Sequence, residues 1–147
     1  IAGAHVITTA SAANHAYVKG LGAETAIDYK SGFVEQVKKA APGGVDVVFD
    51  CAGGKTLHDS YTLLKPQGRI VSIVEAIDPE AAKKHNFQGS YVFVRPNGPE
   101  LAEIGKLIAE KKVNVPRIEE MRLEEAGDAL EKLRSGNAKS KIVLKVK

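Results

Sequence analysis

Val45-Asp46-Val47-Val48-Phe49-Asp50-Cys51-Ala52-Gly53-Gly54 is the stretch that decides the fold. Its apolar, β-branched run has the length of a strand, with Pro42-Gly43-Gly44 ahead of it and two glycines behind. Such a run suits a strand buried on both faces, so a central strand of a parallel sheet is predicted rather than an edge. The same unit recurs on either side. Upstream, His5 to Thr9 reads as a short strand and Ala12 to Leu21 as a helix closed by Gly22. Ala23 to Asp28 is a second strand, and Phe33, Val34 and Val37 repeat at helical spacing behind Ser31, the expected N-cap.

Downstream, Leu57, Tyr61 and Leu64 fall on one helical face, and Lys65-Pro66-Gln67-Gly68 ends that helix before a strand from Arg69 to Val74. Pro79 to Lys84 reads as a short helix and Gly89 to Val94 as a strand. Pro99 to Lys112 is a helix with Leu101, Ile104, Leu107 and Ile108 on its apolar stripe. Repeated strand and helix units with right-handed crossovers predict an α/β domain with a parallel sheet covered on both faces. The tail differs: a segment from Arg117 to Leu123, a helix from Glu124 to Leu133 closed by Gly136, and a strand from Lys141 to Val146. A boundary near Asn114-Val115-Pro116 divides the chain into a domain over 1–114 and an extension over 115–147.

The chain has 147 residues, 44% of them hydrophobic and 27% charged, a globular composition. Its apolar runs are strand-sized, so no membrane-spanning helix is expected. The net charge of +3 comes from interspersed Lys and Arg rather than a basic stripe, which argues against a nucleic-acid partner. The single Cys51 cannot form an intramolecular disulfide and the four His show no metal-ligand spacing, so a reducing cytoplasm and no metal site in this segment are expected. The first residue is Ile, with no signal-peptide pattern behind it, and the chain reads as a fragment.

In a dinucleotide-binding sheet, the end of the second strand carries an acidic side chain when the ligand is NAD. With one strand of such a sheet expected upstream of His5, that place reads Thr8-Thr9-Ala10-Ser11, with no acid. A 2′-phosphate is repelled by a carboxylate and accepts hydrogen bonds from hydroxyls and amides, so Ser11 and Asn14, with Tyr29 at the end of the next strand, suit NADP. Ser11 equally suits a helix N-cap, and the two roles are compatible. Cys51, Ala52 and Gly53 stand at the carboxyl end of a buried strand, where open α/β sheets bind ligands; a tight turn explains the glycines as well. No base is identifiable beside Cys51, and nothing orients His5, His15, His58 and His85 together, so no catalytic residue is assigned.

Six stretches in order resemble one family: His5 to Ala23, Ile27-Asp28-Tyr29, Val45 to Asp50 with Gly53-Gly54, Lys65 to Val71, Leu123-Glu124-Glu125-Ala126, and Lys139 to Leu144. Together they are similar to the cofactor domain of the medium-chain dehydrogenase/reductase superfamily, in its quinone-oxidoreductase-like, zinc-binding-dehydrogenase-type branch. The resemblance implies a Rossmann-like doubly wound parallel sheet. Its first strand and glycine-rich phosphate loop are expected upstream of Gly3-Ala4-His5, and that strand would lie between His5 to Thr9 and Val45 to Phe49, leaving two unpaired edges here.

It also implies that Val74 and the chain around Phe93, Val94 and Arg95 approach a nicotinamide, that residues 115–147 pack on a catalytic domain, and that zinc dependence is undecidable from this segment. A homodimer is implied through Gly89 to Val94, an apolar strand without the charges that protect an edge; cover by Pro99 to Lys112 or Arg117 to Leu123 is the alternative. The expected function is the NADPH-binding part of an oxidoreductase passing hydride to a quinone, enone or small carbonyl substrate. The rivals are the cofactor domain of a zinc-dependent alcohol dehydrogenase and a non-catalytic nucleotide-sensing or assembly module.

Overall fold

A computed structural model describes residues 3–115, 117–136, 138 and 140–146. Pro116 of the expected boundary and Lys139 of the last family-like stretch lie outside the described residues. Two compact units are present, Ile1–Pro96 and Asn97–Lys147. The first holds β1 (Ile7–Thr9), α1 (His15–Gly20), β2 (Thr25–Ile27), α2 (Phe33–Ala40), β3 (Val45–Asp50), α3 (Gly54–Ser60), β4 (Leu64–Ser72), α4 (Pro79–His85) and β5 (Gln88–Tyr91). The second holds α5 (Gly98–Ala109), β6 (Ile118–Arg122), α6 (Ala126–Arg134) and β7 (Lys141–Lys145). All the strand pairs are parallel, as the α/β reading requires: β1 with β2, β3 with β4, β4 with β5, and β6 with β7.

In the first unit the strands form two separate sheets, β1-β2 and β3-β4-β5. Among the described residues β1 pairs only with β2, and β3 only with β4. What joins them is helix packing. Phe33 and Val37 of α2 are buried with Ile27 of β2 and Leu63, and both Ile7 of β1 and Val45 of β3 pack against that cluster. A second cluster, Leu57, Tyr61, Ile70 and Phe87, fixes α3 on the other sheet, with the Tyr61 and Phe87 rings 5.1 Å apart.

The expectation that Val45 to Asp50 is a central strand buried on both faces is corrected. Val47 is 61% exposed and Phe49 66% on one face, and among the described residues β3 pairs on one edge only, with β4. Ser31 is not the N-cap of α2. Gly32 takes that place at φ 66°, a left-handed conformation that glycine adopts without a Cβ clash, and Ser31 turns its hydroxyl back to Asp28 O. Leu64 opens β4 instead of closing the preceding helix, which ends in a 3₁₀ turn at Tyr61–Leu63. Consequently Lys65-Pro66-Gln67-Gly68 lies inside the extent of β4, as an irregularity in its pairing with β3. β5 ends at Tyr91, although Val92 N–H still donates to Ser72 O, and Val92 to Val94 continue outside the strand. Helix α5 stops at Ala109, short of Lys112, because Lys111 takes φ 57° and turns the chain.

In the second unit, Glu119 of β6 accepts from Lys132 of α6 and from Ser140 Oγ at 3.1 Å, so one carboxylate ties both strands' neighbourhoods to the helix. Those two hydrogen bonds hold its carboxyl below the usual glutamate range. A depressed folded pKa contributes stability that is present above the unfolded value and lost as pH falls through the folded one. The β6–α6 contact is therefore expected to loosen on acidification below the ordinary glutamate range, read from amide signals of β6. Glu119→Gln should abolish that acid transition; a transition unchanged in the variant would assign it elsewhere.

The two faces of unit 1 also make unequal demands. Ile70, with no exposure, should cost about 2–5 kcal/mol when cut to Ala, whereas Val47→Thr should cost about 0.5 kcal/mol or less. Urea unfolding of the 147-residue chain checks this. A core-sized cost at Val47 would mean that the open edge of β3 is covered in solution.

Candidate functional site

The carboxyl ends of β3 and β4 come together through one buried carboxylate. Asp50, only 5% exposed, accepts from Ala52 N–H at 3.2 Å, from Gly53 N–H at 3.1 Å, and from Ser72 Oγ at 2.7 Å. Ser72 is fully buried, and its hydroxyl in turn accepts from Val74 N–H and Glu75 N–H. A hydroxyl has one donor and two acceptor positions, and all three are in use. The turn after β3 then needs Gly53 at φ 69°; a Cβ built there would lie 2.8 Å from Val74 Cγ1. Of the predicted residues, Cys51, Ala52, Gly53 and Val74 are thus gathered at one place, with Gly53 and Val74 in direct apposition.

Cys51 and Ala52 also line a cavity of about 410 Å³. It is lined by Ile7, Thr8 and Thr9 from β1, by Val45, Val47, Val48, Phe49 and Asp50 from β3, and by Phe33 and Val37 from α2. The ends of β1 and β3 therefore open onto a common space, which is where the resemblance expects the unpaired edges to face. Cys51 is exposed, and partial desolvation followed by the charge of Asp50 raises its thiol pKa, the opposite of an activated nucleophile.

Ser11 and Asn14 follow β1. Ser11 stands at the N-cap of a 3₁₀ turn, Ala12–Asn14, yet its side chain makes no capping bond. Asn14 Oδ1 is buried with no hydrogen-bond partner among the described residues, an arrangement that costs free energy unless something completes it. Tyr29 lies on a second cavity, of about 360 Å³, with Lys30, Lys55 and Asp59. Lys30 Nζ sits 5.8 Å from the Tyr29 ring centroid, and Lys55 pairs with Asp59. Phe93 and Val94 are 77% and 79% exposed in the chain beyond β5, and Arg95 is exposed as well.

Sequence reasoning missed Ser72, Lys30 and Lys55. Lys30 was within reach, since it directly follows the tyrosine that ends the second strand. Ser72 had no local signal, because its partner is 22 residues away. Among the described residues no group of three His, Cys, Asp or Glu side chains is placed to hold a metal ion, and no helix is long and apolar enough to cross a membrane. The donor set for a zinc ion is thus not formed by the described residues.

Comparison with known proteins places this geometry in context. The family model of the zinc-binding dehydrogenase matches residues 21–144. A probable zinc-binding oxidoreductase, mitochondrial, of Arthroderma benhamiae is 29% identical over 96% of this chain and 44% of its own length. The NADP-dependent oxidoreductase RED1 of Cochliobolus heterostrophus is 41% identical over 54 residues, 36% of this chain and 15% of its own. A solved quinone oxidoreductase from Coxiella burnetii superposes with a TM-score of 0.80 at 37% identity, covering 97% of this chain and 45% of that one. The chain spans just under half the length of the full-span relatives it matches. With the match extending over most of its residues and the parallel α/β architecture shared, the chain belongs to the zinc-binding dehydrogenase family, within the medium-chain dehydrogenase/reductase superfamily.

Proposed function

We propose that this chain is the cofactor-binding part of an NADPH-dependent oxidoreductase that reduces a quinone, enone or small carbonyl compound. The observation that carries the reading is the convergence of the strand ends: β1 and β3 open on one cavity, and the turn after β3 has small residues where a ligand approaches. The residues fit a dinucleotide. Gly53 lets the turns after β3 and β4 approach closely, the Ser11 hydroxyl is not consumed by capping, and Asn14 carries an amide oxygen without a partner among the described residues. Ser11, Asn14 and Tyr29 would hold the adenosine end with its 2′-phosphate. Cys51, Ala52 and Gly53 would meet a ribose, and Val74 with Phe93, Val94 and Arg95 would border the nicotinamide.

When bound, the nicotinamide supplies the hydride, and the protein's part is to bind and orient it. In this chain, backbone held by Asp50 and Ser72 provides that orientation. Residues 1–114 would form the dinucleotide domain, and 115–147 would return to a catalytic domain. A cytoplasmic setting would keep exposed Cys51 reduced. The primary test is oxidation of NADPH by a quinone, followed optically, with the protein as its gene encodes it; no turnover with any quinone, enone or aldehyde would reject the reading.

Cofactor choice follows from Ser11. A carboxylate there would repel a 2′-phosphate and accept hydrogen bonds from a free ribose, so Ser11→Asp should lower the kcat/KM ratio for NADPH over NADH by about tenfold, roughly 1.4 kcal/mol. A ratio unmoved by the substitution would remove Ser11 from the site.

The assembly is proposed to be a homodimer joined at β5. Gln88 to Tyr91 are exposed, and among the described residues β5 pairs only with β4. Val92 N–H faces β4, since it donates to Ser72 O, and alternation along the strand turns Tyr91 N–H to the open side. Tyr91→Pro should therefore convert a sedimenting dimer to monomer without losing the β4–β5 ladder. A monomeric wild type, or a dimer indifferent to the proline, would exclude this interface.

A further inference from the structure

The turn after β3 and the turn after β4 are joined twice. The first link is the buried one through Asp50 and Ser72. The second is Glu75, whose Oε2 accepts from Gly54 N–H at 2.9 Å while its Oε1 lies 3.2 Å from His58 Nε2. Gly54 is the first residue of α3 and His58 lies on the same helix, so Glu75 holds the start of α3 and its face together. The links close into a ring. Starting from the Asp50 carboxylate it runs to the Ser72 hydroxyl, to Glu75 N–H, along that residue to its carboxylate, to Gly54 N–H, and back through Gly53 N–H to Asp50. Ile73 N–H to Asp50 O at 3.1 Å adds a backbone strut inside the same ring.

From this we infer that Glu75 is a positioning residue: its carboxylate clamps the Cys51–Gly54 turn against the Ile73–Glu75 turn and so sets the spacing of the two backbone segments that border the ligand. The close approach explains why the clamp has little slack. At Gly53 an added Cβ would meet Val74 Cγ1 at 2.8 Å and Glu75 Oε2 at 3.1 Å, so both turns are already in contact through the only residue type that permits it. The inner link is buried and cannot adjust. The outer link is a partly exposed, charge-assisted hydrogen bond to a backbone N–H that otherwise has no partner in the first turn of a helix. Removing it frees the outer ends of both turns while the core of the sheet stays intact. On the cofactor reading given above, those ends are where ribose and nicotinamide lie; the clamp itself is read out separately.

Three variants of the protein as its gene encodes it separate the roles: Glu75→Ala, Glu75→Gln and Glu75→Asp. Glutamine keeps an oxygen that can accept from Gly54 N–H, alanine keeps none, and aspartate shortens the reach. Amide hydrogen exchange at Gly54 should speed up by about tenfold or more in the Ala variant, since a lost charge-assisted bond is of that order, and by about threefold or less in the Gln variant. NADPH affinity should fall about tenfold with Ala and recover to near wild type with Gln, while KM for the quinone changes little. The thermal midpoint should barely move, which a purely structural role would not allow. Gly54 exchange unchanged in Glu75→Ala overturns the clamp. Faster exchange with undiminished NADPH affinity overturns its positioning role. A wild type that binds no NADPH, with Gly54 exchange still responding to Glu75, rejects the cofactor reading and leaves the clamp standing.

Discussion

A carboxylate buried at the end of a strand has to be fully hydrogen-bonded, and the way Asp50 meets that demand organises the rest of the site. Its partners are the N–H groups of its own turn and the hydroxyl of Ser72 on the neighbouring strand. Because both kinds of partner are needed, the end of β3, the turn after it and the end of β4 are placed together. Ser72 then has acceptor capacity left for Val74 and Glu75, so the order spreads to the second turn. Losing either side chain would leave buried groups unpaired, each costing about 1–3 kcal/mol. The same contacts that satisfy the charge therefore set the backbone that a ligand would meet.

The second constraint is the open edge. β1 and β3 each present an unpaired side to a common cavity, and the two sheets of the first unit are held together by α2 instead of by a ladder. Unpaired strand edges are templates for further pairing, and beside this one Val47 and Phe49 present an exposed apolar face. Phosphate binding in dinucleotide folds relies on amides at a helix amino terminus next to such a central strand.

Much of this was legible in the residues. Periodicity and Gly or Pro breaks located most of the elements of the first unit, whereas β6 went unassigned within the segment Arg117 to Leu123 and β4 starts at Leu64, five residues before the expected Arg69. Two of the errors depend on something non-local, and the capping error on a neighbouring residue. Val45 to Asp50 has the composition of a two-sided buried strand, but burial depends on neighbours that a strand's own residues cannot specify. Leu64 continues the helical spacing of Leu57 and Tyr61, yet pairing with Val45 draws it into β4. Ser31 is a good capping residue beside a better one for a left-handed turn. At the site, small residues and glycines signalled the turn after β3, and the missing acid near Ser11 is what the proposal of a 2′-phosphate rests on. The ring through Ser72 and Glu75 joins positions 21 and 22 residues apart and had no local signature.

The central claim is that one nucleotide lies along the strand ends of the first unit. Titrating isotope-labelled protein, as its gene encodes it, with oxidised NADP and following backbone amides tests it most directly. The account predicts saturable shifts at Ser11, Asn14, Tyr29, the Cys51 to Gly53 turn and Val74, with the interior of β6 and β7 unaffected. Shifts confined to residues 97–146, or saturable binding that leaves the Cys51 to Gly53 turn and Val74 unmoved, would contradict it.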